Sequence, residues 1–169
     1  DEIFVFQFVQ TDPNLANFLL KSEGFEIVLL DFGSCTNVTS KTKNLYADLL
    51  DVGLTLDSKT IKNFLFQKGF LPNEMDMATN NLINQLIDTA IDELARNDNF
   101  DFANSKIFEL IELEQLKEFQ KIIPQTLLSA DFVFIQRKIL GFLLFFKSIE
   151  AKVPILKILK KYSCIIQIK

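Results

Sequence analysis

The spacing of apolar residues changes once along this chain. Ile3 to Val9, Phe18 to Leu20 and Glu26 to Leu30 are short apolar runs of strand length. Between the last two, Lys21-Ser22-Glu23-Gly24 supplies a hairpin turn. From Ser40 onward the period becomes that of a helix. Leu45, Leu49, Leu50 and Val52 share a face that stops at Gly53, the expected C-terminal cap. Ser58 opens a second helix, with Ile61, Phe64 and Leu65 inside and Gly69 as its stop. Asn73 and Asp76 mark another start, and Leu82, Ile83, Leu86, Ile87, Ala90, Ile91 and Leu94 make the most regular stripe in the chain. The polar stretch Arg96 to Asp101 predicts a loop. A further helix through Ile107, Leu110, Ile111, Leu116 and Phe119 must end before Pro124, whose ring removes a donor and clashes with the preceding turn. Ala130 to Ile149 is apolar on nearly every side, which predicts a helix buried in the middle of the fold. Pro154 opens the last helix, with Ile155, Leu156, Ile158 and Leu159 inward and Lys157, Lys160 and Lys161 outward. The expected class is mostly α (α+β): a short N-terminal β-hairpin followed by a helical bundle.

Composition narrows the chemistry. The 169 residues, 49% of them hydrophobic, are enough for one domain with a substantial core. A net charge of −4 excludes nucleic acid as the natural partner, because phosphate backbones select clustered Lys and Arg. There is no His, which removes Ser-His and Cys-His nucleophiles, and two Cys make neither a disulfide framework nor a zinc site. Metal chemistry must then use carboxylates. The longest apolar run, Ile139 to Phe146, is too short to span a bilayer and is flanked by Arg137-Lys138 and Lys147. The late lysines complement the last helix's dipole, with peripheral membrane contact as the second reading. The 18 Phe residues are expected to fill the core.

Two acidic segments carry the candidate chemistry, Gln10-Thr11-Asp12-Pro13-Asn14-Leu15-Ala16-Asn17 and Leu29-Leu30-Asp31-Phe32-Gly33. Either one alone is an ordinary turn. Together, each beside a predicted strand, they match what phosphoryl transfer asks of a protein: hard oxygen ligands for Mg²⁺ and one carboxylate near the attacking oxygen. The strand order puts Asn17 and Asp31 at adjacent strand ends, where one cation could touch both.

These residues also resemble the AarF/UbiB-type atypical kinases of coenzyme Q biosynthesis. The resemblance is carried by Phe8 to Asn14, by Asn17-Phe18 and by Val28 to Gly33, and more weakly by Leu45-Tyr46, Lys68 to Leu71 and Arg137-Lys138 before Gly141. It implies a protein-kinase-like C-terminal lobe, with residues 1–35 as the catalytic and metal-loop segment and 36–169 as its helical part. By the same resemblance Asp12 is the catalytic-loop Asp, and Asn17 and Asp31 bind magnesium. The implied cofactors are Mg²⁺ and ATP. The implied partners are a small or lipid-like molecule and coenzyme Q biosynthetic proteins, at the matrix side of the mitochondrial inner membrane. The nucleotide-cradling lobe, with a Lys-x-Gly-Gln motif and an Ala-rich phosphate loop, is expected to precede Asp1, and the chain is expected to be inactive without it and to expose an apolar patch.

Departures from protein kinases are equally informative. Gln10-Thr11 stands where they have His-Arg, so no phosphate on an activation segment would find its cation. Asn14 replaces a catalytic-loop Lys. The stretch from Gly33 to a helix near Ser40 is too short to dock a peptide, which argues against protein substrates. The alternatives are a nucleotide-binding pseudo-enzyme that organises lipid-biosynthetic partners, a truncated gene product without function, and a helical domain whose motifs are accidental.

Overall fold

Two small antiparallel pairs, interleaved in sequence, begin the structure. The computed structural model describes the chain except Pro13, Gly24, Phe25, Asn73, Asn97, 111–128 and 168–169, and gives only the backbone of 164–167. Strand β1 (Phe8–Gln10) pairs with β4 (Cys35–Asn37) in the register Phe8↔Asn37, Val9↔Thr36 and Gln10↔Cys35. Between them lie β2 (Phe18–Leu20) and β3 (Ile27–Leu29), paired Phe18↔Leu29 and Leu20↔Ile27. That inner hairpin is the one expected, closed by the Lys21 N–H donating to Glu26 O at 2.9 Å. Strand β4 was not foreseen, because Cys35-Thr36-Asn37 carries no apolar run.

The first apolar run is not a single strand. Glu2–Phe6 coils into a short π-type turn and only Phe8–Gln10 is extended. Gln7 separates the two at φ 52, a left-handed conformation that ends the turn and redirects the chain into β1.

The rest is mostly helical: α1 (Ser40–Gly53), α2 (Ser58–Gln67), α3 (Met77–Arg96), a one-turn α4 (Ile107–Leu110), α5 (Ala130–Ser148) and α6 (Ile155–Gln167). Starts follow capping chemistry. Thr39 Oγ1 accepts from Thr42 N at 3.2 Å, Asp57 from Thr60 N at 2.8 Å, and Asp76 from Thr79 N at 2.8 Å. Stops agree less well. Gly69 follows α2 with φ 74, as a C-terminal glycine should, whereas Gly53 is the last residue inside α1 and the left-handed turn falls to Leu56 at φ 51. Expected helix positions Ile111, Leu116, Phe119 and Pro124 lie outside the described residues.

Three further expectations need correction. The polar stretch after α3 ends in strand β5 (Phe100–Asp101), paired with β6 (Lys152–Val153), because Phe100 and Phe102 are buried against other aromatic rings. Helix α5 is not buried all round. Asp131, Phe132 and Ile135 face the core while Val133, Leu140 and Leu144 are exposed. On α6, Ile158 faces outward instead of inward. Apolar composition alone does not give a helix its buried face; packing against a few neighbours does.

The main core lies under β1. Val9, Val38, Tyr46, Phe132 and Ile135 form one buried cluster, backed by Ile3, Phe4, Leu45, Leu49 and Phe70. The Tyr46 and Phe132 rings stack at 5.6 Å. Each such side chain contributes about 1.5–3 kcal/mol by leaving water, so the strand that leads into the first acidic loop is among the best anchored parts of the molecule. No described helix is long and apolar enough to cross a membrane.

Candidate active site

The interleaved pairing decides where the two acidic loops sit. At one end the ladder of β1 and β4 continues past Gln10↔Cys35, with Thr11 N donating to Ser34 O at 2.7 Å. At the other end the β2–β3 hairpin continues past Phe18↔Leu29, with Leu30 N donating to Asn17 O at 2.9 Å. The two connections, from Thr11 to Asn17 and from Leu30 to Ser34, are therefore tied to each other at both ends. Asp12, Asn17 and Asp31 all lie in or at the edge of these tied loops.

Within the first loop, Asp12 is fixed through both carboxylate oxygens. Its Oδ1 accepts from Asn14 N at 3.2 Å, and its Oδ2 accepts from Asn17 Nδ2 at 2.9 Å. Asn14 in turn caps the single 3₁₀ turn Leu15–Asn17, its Oδ1 accepting from Ala16 N at 3.1 Å. That turn brings Asn17 back over Asp12. Since an ionised carboxylate only accepts, the amide of Asn17 must present its NH₂ to Asp12, which leaves its Oδ1 as a separate oxygen donor. Both side chains are half-buried.

Asp31 occupies the second loop and is exposed. Its Oδ1 accepts from Gly33 N at 2.6 Å, a turn that holds the carboxylate against its own main chain. A Cβ at position 33 would lie 3.0 Å from that oxygen, so any other residue there would push the carboxylate aside by a few tenths of an ångström.

What this arrangement can do chemically follows from its donors. Among the described residues no three carboxylate, thiol or imidazole groups converge on one point, so no all-protein cage for a cation exists there. Two carboxylates and an amide oxygen are hard ligands, and Mg²⁺ is commonly held by one or two carboxylates with water and phosphate completing its shell. The donor set fits magnesium carried by a nucleotide. Cys35, next to Ser34, adds no nucleophile: burial, reinforced by the negative charges of Glu2 and Asp31, raises its thiol pKa despite Lys138.

Sequence reasoning named the three polar residues and the inner hairpin, and missed what clamps them. Thr11, only 4% exposed, was read for the arginine it replaces, and Ser34 was not singled out. The signal was slight: two small hydroxyl residues flanking the acidic motifs. Around the loops Leu15, Leu19, Leu20, Ile27, Leu30 and Phe32 are exposed, from 44% for Leu15 to 72% for Ile27.

Comparison with known proteins gives a consistent picture. Residues 1–65 match the ABC1 atypical kinase-like domain, a span that contains both acidic loops, β1 to β4 and α1. The chain is 28% identical over 129 residues to a probable serine/threonine-protein kinase, abkA, of Dictyostelium discoideum, covering 75% of this chain and 22% of that protein. To the mitochondrial atypical kinase coq-8 of Caenorhabditis elegans it is 30% identical over 130 residues, covering 75% of this chain and 16% of that protein. To the mitochondrial atypical kinase COQ8B of Danio rerio it is 37% identical over 73 residues, covering 41% and 12%. The chain thus spans 22% or less of the length of these relatives.

Proposed function

We propose, for a chain that belongs to the AarF/UbiB-type atypical kinases, that Asp12, Asn17 and Asp31 form the magnesium–ATP end of a phosphoryl-transfer site. The observation that carries this is the bond from Asn17 Nδ2 to Asp12 Oδ2 at 2.9 Å, made in a loop tied at both ends to the one that carries Asp31. It gives each residue a distinct task. Asp12 is held in place by the Asn14 N–H and the Asn17 amide, oriented to position, or take a proton from, an attacking hydroxyl or water. Asn17 and Asp31 offer oxygens to the cation. Magnesium bound there supplies neutralisation of charge on the phosphate oxygens during transfer.

The phosphoryl acceptor is a small or lipid-like molecule, or water. Between Gly33 and α1 the chain runs only from Ser34 to Thr39, and β4 takes up three of those positions. No length remains for a segment that could cradle a peptide. The protein-kinase name of the Dictyostelium relative points the other way, and the backbone here carries more weight because a peptide needs a surface to lie on. Following the family, the activity serves ubiquinone biosynthesis in the mitochondrion, with coenzyme Q biosynthetic proteins as partners and peripheral contact at the matrix side of the inner membrane. The second reading, a nucleotide-binding regulator that transfers no phosphate, is favoured by one observation. Asn14, where a catalytic-loop Lys would stand, is spent on capping its own turn.

Calorimetric titration of the full-length protein with magnesium and ATP tests the site. Asp31→Asn should abolish magnesium-dependent nucleotide binding, and binding equal to wild type would remove the metal role. ATP turnover lost in Asp12→Asn, with binding retained, separates the enzyme from the regulator.

A further inference from the structure

We propose that the hydroxyls of Thr11 and Ser34 form a latch that fixes the spacing between the Asp12–Asn17 loop and the Asp31 loop, making both of them positioning residues for the cation. This rests on the function proposed above. Thr11 makes three contacts with one residue: its N–H donates to Ser34 O at 2.7 Å, and its Oγ1 lies 3.1 Å from that same oxygen and 2.7 Å from Ser34 Oγ. The main-chain bond only extends the β1–β4 ladder by a step. The hydroxyl pair is additional, and it sits at the end of the ladder, where strands otherwise fray.

Its position gives it leverage on both loops. Thr11 precedes Asp12 directly. Ser34 follows Gly33, whose N–H holds the Asp31 carboxylate at 2.6 Å. A shift of the latch therefore moves both acidic groups relative to each other, while the far end is tied by the Asn17–Leu30 bond and the β2–β3 ladder beyond it. Protein kinases place an Arg at the position of Thr11, a charge that waits for a phosphate on a mobile segment. Thr11 is short, neutral, buried and already bonded, so the two loops are closed together without any modification.

The test uses the full-length protein. The magnesium concentration that half-saturates ATP binding is measured by calorimetry for Thr11→Val, Ser34→Ala, the double variant and Thr11→Ser, with the thermal midpoint recorded beside each. Loss of one such hydrogen bond should raise that concentration about 3- to 10-fold in either single variant. The double variant should be no worse than the worse single, since the two hydroxyls act as one unit, and Thr11→Ser should restore wild-type behaviour. Amide exchange across residues 9–12 and 34–37, followed without nucleotide, should quicken in Thr11→Val. Should that variant fail to fold, Ser34→Ala at its exposed position carries the same test. An unchanged magnesium requirement, with or without a lower thermal midpoint, overturns the latch, provided Asp31→Asn abolishes binding in the same assay. If Asp31→Asn binds normally, the cation site itself is wrong and the latch falls with it.

Discussion

Replacing Asp131 by Ala should be among the most destabilising single changes in this chain, although the residue is far from the acidic loops in sequence. Its carboxylate is 5% exposed at the start of α5 and accepts from Thr39 N at 2.9 Å and Thr39 Oγ1 at 3.0 Å. Thr39 is itself the cap of α1, so one carboxylate ties the beginnings of two helices together and anchors the connection that leaves β4. Burial by itself would raise the Asp131 pKa. Hydrogen bonds from Ser129, from the Thr39 N–H and from the Thr42 and Thr39 hydroxyls outweigh it and hold the group well below the usual carboxylate range. Each bond to an ionised acceptor is worth roughly 1.5–3 kcal/mol. The Thr39 hydroxyl can turn to Thr42 once the carboxylate is gone but its N–H cannot, so the net loss for Ala is about 3 kcal/mol. Urea unfolding should show a midpoint lower by roughly 1–2 M. Asp131→Asn keeps one acceptor and should lose about half as much.

The pH dependence supplies an independent check on that reasoning. Because the folded pKa lies below the unfolded value of about 3.9, the charge contributes its full stabilisation above that value and loses it as pH falls through the folded pKa. The stability gap between wild type and Asp131→Asn should be flat near neutrality and shrink only below about pH 4. A loss under about 0.5 kcal/mol for Ala, the size of an ordinary surface change, would refute the argument. So would a gap that widens in acid.

Gly33→Ala should weaken magnesium-dependent nucleotide binding with little change in unfolding midpoint, because the added methyl meets only the flexible end of Asp31, at 3.0 Å; binding at wild-type strength in calorimetry would show that the Asp31–Gly33 turn does not matter. Gly69→Ala should do the reverse. At φ 74 an L residue is strained, so the unfolding free energy should fall by roughly 1–2 kcal/mol, read from urea denaturation, while nucleotide binding by the full-length protein stays the same.

Local chemistry made much of this protein legible from its residues in order. Apolar runs broken by Lys21-Ser22-Glu23-Gly24 specify the β2–β3 hairpin, because a strand and its turn are set within a dozen neighbours. Ser58 and Asp76 mark helix starts for the same reason, since a cap bonds to an N–H three residues on, although at the first of them the bond is made by Asp57, one residue earlier. Asp12, Asn17 and Asp31 could be singled out by type and spacing alone. Long-range pairing was out of reach of that logic. Strand β4 exists because Cys35-Thr36-Asn37 finds β1 across the whole hairpin, and nothing in three such residues says so. Tertiary packing likewise chose the buried side of α5, leaving Leu140 and Leu144 in water, and gave Asp131 its partner Thr39 across 92 positions of sequence. Short-range hydrogen bonds are written in neighbouring residues; which distant surfaces meet is a property of the folded whole, and here that meeting is what ties the two acidic loops together.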